Sequence, residues 1–400
     1  MLKLSVVGPA ALSPLRRVLS NRLDRLVALR VFANASMMRQ GGRGPADLLD
    51  RWGKETHDGK MALLGMLREC HALEELDLTA IGLTEFEARA LAAALYGCEM
   101  PVRDEPTSPA EQSGARQHHD YENAEQDEDS AEGPPERADV SLGAWMEKFG
   151  ANGEREGLGR TQLQLSLSEL RLEHNELSFK AVQALMVPVA DMRTLTRLEL
   201  GGNRLGHTGG SALCYALAEG PRASLHVLGL GECDLGPEGM AALAPALRRF
   251  SKLQDLDLNS NRLTARGGTS LARALRSCTS LVSLTVNFNF LGKEGTCALA
   301  PLLGAQTSLT NLDLSFNDMG PAGVAALVEG MKHREQIVLA RLNLSKNTLG
   351  ARGASELFPL LRRAASTLQF MGLKFNGLGQ QHSAMIKCQV PRARVEVLDI

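Results

Sequence analysis

One phrase recurs along this chain: L-x-x-L-x-L-x-x-N-x-L, followed by a glycine turn and an alanine- and leucine-rich run. It is clearest as Leu195-x-x-Leu198-x-Leu200-x-x-Asn203-x-Leu205, and its starts at residues 167, 195, 225, 253, 281, 309, 339 and 368 lie 28 to 30 residues apart. A fixed period of this size means stacked units, none of which can bury its own apolar side; neighbours supply the core. Leu256 and Leu258 alternate as in a short strand, whereas Gly267, Gly268, Leu271, Ala272, Ala274 and Leu275 have helical spacing. Strand followed by helix in every unit makes successive strands parallel. Helices need about 10 Å between neighbours and strands about 4.8 Å, so the stack curves with strands inside.

The ninth slot of the phrase is an asparagine column: Asn34, Asn175, Asn203, Asn261, Asn289, Asn317, Asn347 and Asn376. The chain leaves the strand there, and a buried amide can both donate to and accept from the backbone groups that lose partners. Cys233 takes the slot in one unit and Ile81 in another. Isoleucine makes no such bonds, so the unit from Leu73 is expected to be looser.

With glycine pairs at Gly206/Gly209, Gly236/Gly239, Gly292/Gly295, Gly320/Gly323 and Gly350/Gly353, the pattern resembles the ribonuclease-inhibitor class of leucine-rich repeat, tightly over residues 160–400 and loosely over 1–96. The resemblance implies an α/β horseshoe solenoid, with a parallel β-sheet on the concave face and α-helices on the convex face. That class includes nuclease inhibitors, recognition modules of nucleotide-binding immune receptors, Ran GTPase activators and flagellar or cytoskeletal scaffolds, and fold does not choose among them.

Two interruptions break the period. Between Leu26 and Leu73 a loop insertion is expected over 37–60, with Leu48, Leu49 and Trp52 as a short helix. Residues 97–160 form a second insertion with 16 acids against 6 lysines and arginines. Its stretch 122–139 is almost free of apolar residues and is expected to be mostly disordered. Elsewhere in the insertion, Leu142, Trp145, Met146 and Phe149 have the spacing of an amphipathic turn, which makes Trp145 a candidate partner contact or merely a cap on the next unit. The organisation read from the sequence is a cap over 1–25, repeats over 26–96, the acidic insertion over 97–160, and contiguous repeats over 161–400. Residues 1–23 have Lys3, Arg16, Arg17, Arg22 and no acid, as in a mitochondrial presequence. A capping unit fits better, because Leu26-x-x-Leu29-x-Val31-x-x-Asn34 continues the phase. At the other end Val395, Val397, Leu398 and Ile400 start one more strand, whose edge needs cover by charges or by another subunit.

The third, fifth, seventh and eighth slots of each unit face the concavity or its rim. Acids there include Glu169, Glu173, Glu199, Glu232, Asp255, Asp257 and Asp313; small or polar residues such as Gly229, Gly231 and Asn287 follow; Arg341, Lys346 and Lys374 come late. Phe288, Phe316 and Phe375 share the eighth slot, with Phe370 close by, and form a candidate anchor patch unless each tucks against its neighbour. The candidate partner-binding residues are thus Glu199, Asp255, Asp257, Asn287, Phe288, Asp313, Phe316, Arg341, Phe370, Phe375 and Trp145. Replacing Asp257 by lysine is expected to spare stability.

No catalytic, cofactor-binding or metal site is read from the sequence. It contains no G-x-x-x-x-G-K-[ST], H-E-x-x-H or G-x-S-x-G, and the Asp255/Asp257 pair recurs by periodicity and does not mark acid–base chemistry. A net charge of −2 argues against indiscriminate nucleic-acid binding, and no apolar run reaches a membrane span. Seven scattered cysteines predict reduced thiols and a cytoplasmic setting. The function expected is a non-catalytic scaffold for a protein partner with a basic surface, possible settings by resemblance being a cytoskeletal or flagellar assembly. The competing readings are a Ran-type GTPase activator, disfavoured because the acidic segment interrupts the repeats instead of following them, and an immune-receptor recognition module.

Overall fold

A computed structural model describes residues 2–7, 26–32, 57, 60–67, 70–96, 167–219, 224–332 and 337–396. Residues Met1–Glu99 and Leu163–Ile400 form one unit; a second, Met100–Gln162, lies outside the described residues, as do the proposed disordered insertion and its Trp145. The short helix expected at Leu48, Leu49 and Trp52 and the column residue Asn34 also lie outside them.

Twelve parallel strands form one open sheet in strict sequence order. They are β1 Leu2–Val7, β2 Leu26–Phe32, β3 Glu75–Asp77, β4 Glu169–Arg171, β5 Arg197–Glu199, β6 Val227–Gly229, β7 Asp255–Asp257, β8 Ser283–Thr285, β9 Asn311–Asp313, β10 Arg341–Asn343, β11 Phe370–Gly372 and β12 Arg394–Glu396. Helices follow: α1 Glu85–Tyr96, α2 Phe179–Asp191, α3 Gly206–Glu219, α4 Gly236–Leu247, α5 Thr264–Ala274, α6 Gly292–Ala305, α7 Gly320–Gly330, α8 Gly350–Ala364 and α9 Gln380–Gln389. The register never slips from β3 to β11, so Leu76, Leu170, Leu198, Leu228, Leu256, Leu284, Leu312, Leu342 and Met371 stand in one row. Each is buried against the helix layer, and the period of two sends the third and fifth slots to the opposite, exposed face.

The asparagine column does the work its chemistry allows. Asn289 Nδ2 donates to the carbonyls of Leu258, Val286 and Asn287 at 2.8, 3.0 and 3.1 Å, while its Oδ1 accepts from the amides of Asn261 and Leu263 at 3.0 and 3.3 Å. One side chain therefore ties two repeats together. Cys233 keeps part of this, its Sγ lying 3.4 Å from the carbonyls of both Leu200 and Gly231. Burial pushes its thiol up to about 12.

The unit with Ile81 is supported from outside the pattern. The buried Lys60 donates to the Gly82 carbonyl and, at 3.1 Å, to Glu87 Oε2. Glu87, fully buried, accepts from the Thr84 amide at 2.8 Å while Thr84 Oγ1 accepts from the Glu87 amide at 3.3 Å, a reciprocal cap on α1. His57 Nδ1 sits 2.9 Å from the other Glu87 oxygen. These bonds fall on Gly82 and Glu87, not on the groups that a column asparagine reaches, so the ammonium brought in by the first insertion ties the turn to α1 without replacing the missing amide.

Candidate functional site

The exposed face divides into three zones along the strand order. In the first, arginines share the same slots as the acids. Arg30 lies 3.4 Å from Glu75, Arg171 3.6 Å from Asp77 and 2.6 Å from Glu169, and Arg197 3.8 Å from Glu169 and 2.8 Å from Glu199. Glu169 and Glu199 stand among the acids expected on this face; the in-phase register lays a cation beside each across β2 to β5. Such half-exposed pairs contribute little to stability, under about 1 kcal/mol each, but they neutralise the face locally. Glu199 is therefore not an open acid.

The second zone is a shallow cavity of about 190 Å³. Its floor is glycine: Gly201, Gly229 and Gly231. A Cβ on Gly229 would overlap Glu199 Oε2, and one on Gly231 would overlap the Asn259 amide, so no side chain fits there without displacing a wall. The walls carry Glu173, Glu199, Glu232, Asp257 and Asn259. Burial raises the Glu199 carboxyl above its usual value, Glu173 and Asp255 push the same way, and the bond from Arg197 opposes them. Among the described residues, Glu173, Glu232, Asp255 and Asp257 have no ion-pair partner. Asp257 has a structural duty, accepting from the Asn259 amide at 2.9 Å. Asp77 and Asp313 do the same for Thr79 and Ser315, at 3.2 and 2.9 Å. The expectation that Asp257→Lys spares stability is corrected accordingly: it removes a turn-holding acceptor.

The third zone is aromatic and cationic. The eighth slots of four successive repeats are Phe288, Phe316, Lys346 and Phe375. Phe288 and Phe316 stack with centroids 3.6 Å apart and planes at 21°. Lys346 Nζ lies 5.0 Å from the Phe316 centroid and 5.3 Å from that of Phe375, and Arg341 lies 4.9 Å over the ring of Phe370. Phe288 touches Phe316, yet Phe288 and Phe375 remain 42% and 47% exposed, and Phe290, at 67%, is more exposed still. Phe290 was missed because it falls in the tenth slot.

The backbone here is unusual. Phe288, Phe290, Phe316, Lys346 and Phe375 all have φ between +52° and +58°. The eighth slot is left-handed in every described repeat from Ala80 to Phe375, because the chain must turn from sheet to helix there. Glycine suits it; a phenylalanine costs about 1–3 kcal/mol. Exposed aromatics on strained backbone are poorly explained by stability alone.

Two other candidates are less accessible than their slots suggested. Asn287 Oδ1 is buried without a hydrogen-bond partner. Asp313 is engaged internally, Oδ1 accepting from Ser315 Oγ at 2.6 Å and Oδ2 from Asn343 Nδ2 at 2.9 Å. Neither offers a free hydrogen-bonding edge comparable to Asp255. Among the described residues no helix is long and apolar enough to cross a membrane.

A family model described as Leucine Rich repeat matches residues 191–214, 223–244, 251–272, 305–328 and 338–358. The ribonuclease inhibitor of Mus musculus is 37% identical over 97 residues, 24% of this chain and 21% of that protein. The ribonuclease inhibitor of Sus scrofa is 33% identical over 95 residues, again 24% and 21%. NACHT, LRR and PYD domains-containing protein 12 of Mus musculus is 33% identical over 127 residues, 31% of this chain and 12% of that protein. The chain thus spans about a fifth of the ribonuclease inhibitors' length and less of the third protein.

Proposed function

Because the chain is a leucine-rich repeat protein of the ribonuclease-inhibitor-like class, we propose that it is a non-catalytic scaffold that holds a protein partner against the exposed face of its sheet. The observation that carries this reading is the row of exposed phenylalanines on left-handed backbone. Selection for stability alone favours glycine, asparagine or aspartate in those slots, whereas exposed aromatic anchors dominate binding energetics in interfaces. The open carboxylates around the glycine floor supply a second contact, suited to a basic group. The cytoplasm is part of the same reading, since no disulfide joins the described cysteines to one another. A cytoskeletal or flagellar assembly is one of the finer settings that the class contains, and co-sedimentation with the detergent-insoluble fraction tests it.

Affinity capture from the native cell, quantified by mass spectrometry, compares the parent with Phe375→Asn and with Glu232→Lys/Asp255→Lys. Both forms keep the internal bonds of Asp257 and Asp313. The reading expects the same partner to be lost from both while circular dichroism stays unchanged. A partner retained by both contradicts it.

A further inference from the structure

We propose that the sheet face reads a charge-bipolar segment of its partner in one direction: a lysine or arginine enters the glycine-floored cavity, and about six residues away a carboxylate beside an apolar residue meets the Lys346 row. This rests on the partner-binding reading above and specifies what the partner must present.

Each end has its own argument. At the cavity, Gly229 and Gly231 remove the side chains that would fill the space, and Glu173, Glu232 and Asp255 keep carboxylates with no cation among the described residues. The arginines that neutralise the face stop at Arg197, one strand before the floor at Gly229. At the far end the signs reverse. Lys346 lies between the Phe316 and Phe375 rings and has no carboxylate partner among the described residues. Lys374, by contrast, is taken by Glu396 at 2.7 Å. Lys346 therefore has an unpaired charge set between two aromatic surfaces, the surroundings in which an acidic residue next to an apolar one gains both contacts.

The separation follows from the register. The floor centres on β6 and Lys346 follows β10, four in-register strand steps away. At about 4.8 Å per step this is roughly 19 Å, and an extended chain covers it in about six residues at 3.3 Å each. A reversed segment would set carboxylate against carboxylate and ammonium against ammonium, and juxtaposed like charges reject wrong partners. The bipolar face thereby fixes which end of a given segment lies over the cavity.

The test uses the full chain and a phage-displayed library of random dodecapeptides, selected in parallel on the parent, Lys346→Glu, Gly231→Ala and Phe288→Asn/Phe375→Asn, each checked for an unchanged circular dichroism spectrum. The parent is expected to enrich peptides with Lys or Arg about six positions from an Asp or Glu flanked by apolar residues. Lys346→Glu should lose the acidic position and keep the basic one; Gly231→Ala, which crowds the Asn259 amide over the floor, should lose the basic one. Enriched peptides with no fixed pairing of charges, or a pairing indifferent to Lys346→Glu, overturn the bipolar inference. If those peptides still depend on Phe288 and Phe375, the partner-binding reading survives. Failure to enrich anything, or enrichment equal on all four proteins, overturns both.

Discussion

At the scale of single residues, the ninth slot is where chemistry is most legible. Its position is fixed by the leucines, and only an amide satisfies both the carbonyls and the amides exposed as the chain leaves the strand. Asn289→Ala leaves buried groups without partners and is expected to cost about 2–4 kcal/mol, read by urea denaturation. Cys233 is the informative exception, since sulfur bonds weakly on both sides; Cys233→Asn should raise stability by roughly 1 kcal/mol. No change or a fall would mean that the thiol is better packed than an amide can be. Glu199 gives a pH test. Its folded carboxyl is raised above the usual 4.5, so its contribution to stability is fully present below that value and is lost as pH rises through the raised one. Glu199→Gln should therefore gain in Tm relative to the parent as pH increases from 4 to 7; a difference that is flat with pH would refute the assigned cause. Arg197, Glu173 and Asp255 bear on it from the same face, with Glu232 and His174 nearby at the cavity. What the sequence could not disclose at this scale is the buried Lys60–Glu87 pair in the unit of Ile81. Lys60 and Glu87 meet through the first insertion, which has no period, and no spacing rule joins them.

At the scale of elements, strand, loop and helix were all readable from period two, the glycine turn and the helical run, and the three-residue strands keep a single register throughout. The site was only partly readable. The acids named for these slots came without Arg171 and Arg197, which hid the pairing of Arg171 with Asp77 and Arg197 with Glu169, although an in-phase register makes neighbours of equal slots. The strand-to-helix loop was also read by side-chain type alone. Its eighth and tenth positions are both left-handed at Phe288 and Phe290, an equivalence invisible in a leucine pattern. The loop makes a prediction of opposite signs. Phe375→Asn relieves left-handed strain of about 1 kcal/mol or more and forfeits a cation–π contact of about 0.5 kcal/mol. Tm is therefore expected to hold or rise while partner affinity drops. A clear loss of Tm would show that the ring is there for packing.

At the scale of the whole molecule, the described repeats put their leucines between sheet and helices as one continuous layer and leave the other sheet face free. Leu256→Asp sets a charge inside that layer, where Leu256 is 0% exposed. It is expected to cost more than about 3 kcal/mol and to unfold neighbouring repeats, seen as loss of hydrogen-exchange protection spreading from α5. Protection lost only locally would argue for repeats less coupled than their shared asparagine bonds imply. Charge is segregated rather than absent: a paired zone, an acidic glycine-floored cavity and a cationic aromatic row follow one another along a single face, which a net charge of −2 conceals. Partner binding should accordingly weaken with added salt more than fold stability does. The central claim is that this face, and not the helix side, grips a protein. Site-specific photo-crosslinking tests it most directly, with p-benzoylphenylalanine placed at position 290 on the sheet side and, separately, at position 385 on α9. The account predicts a discrete protein adduct in native extract from position 290 and none from position 385; adducts from 385 alone, or the same adduct from both, would contradict it.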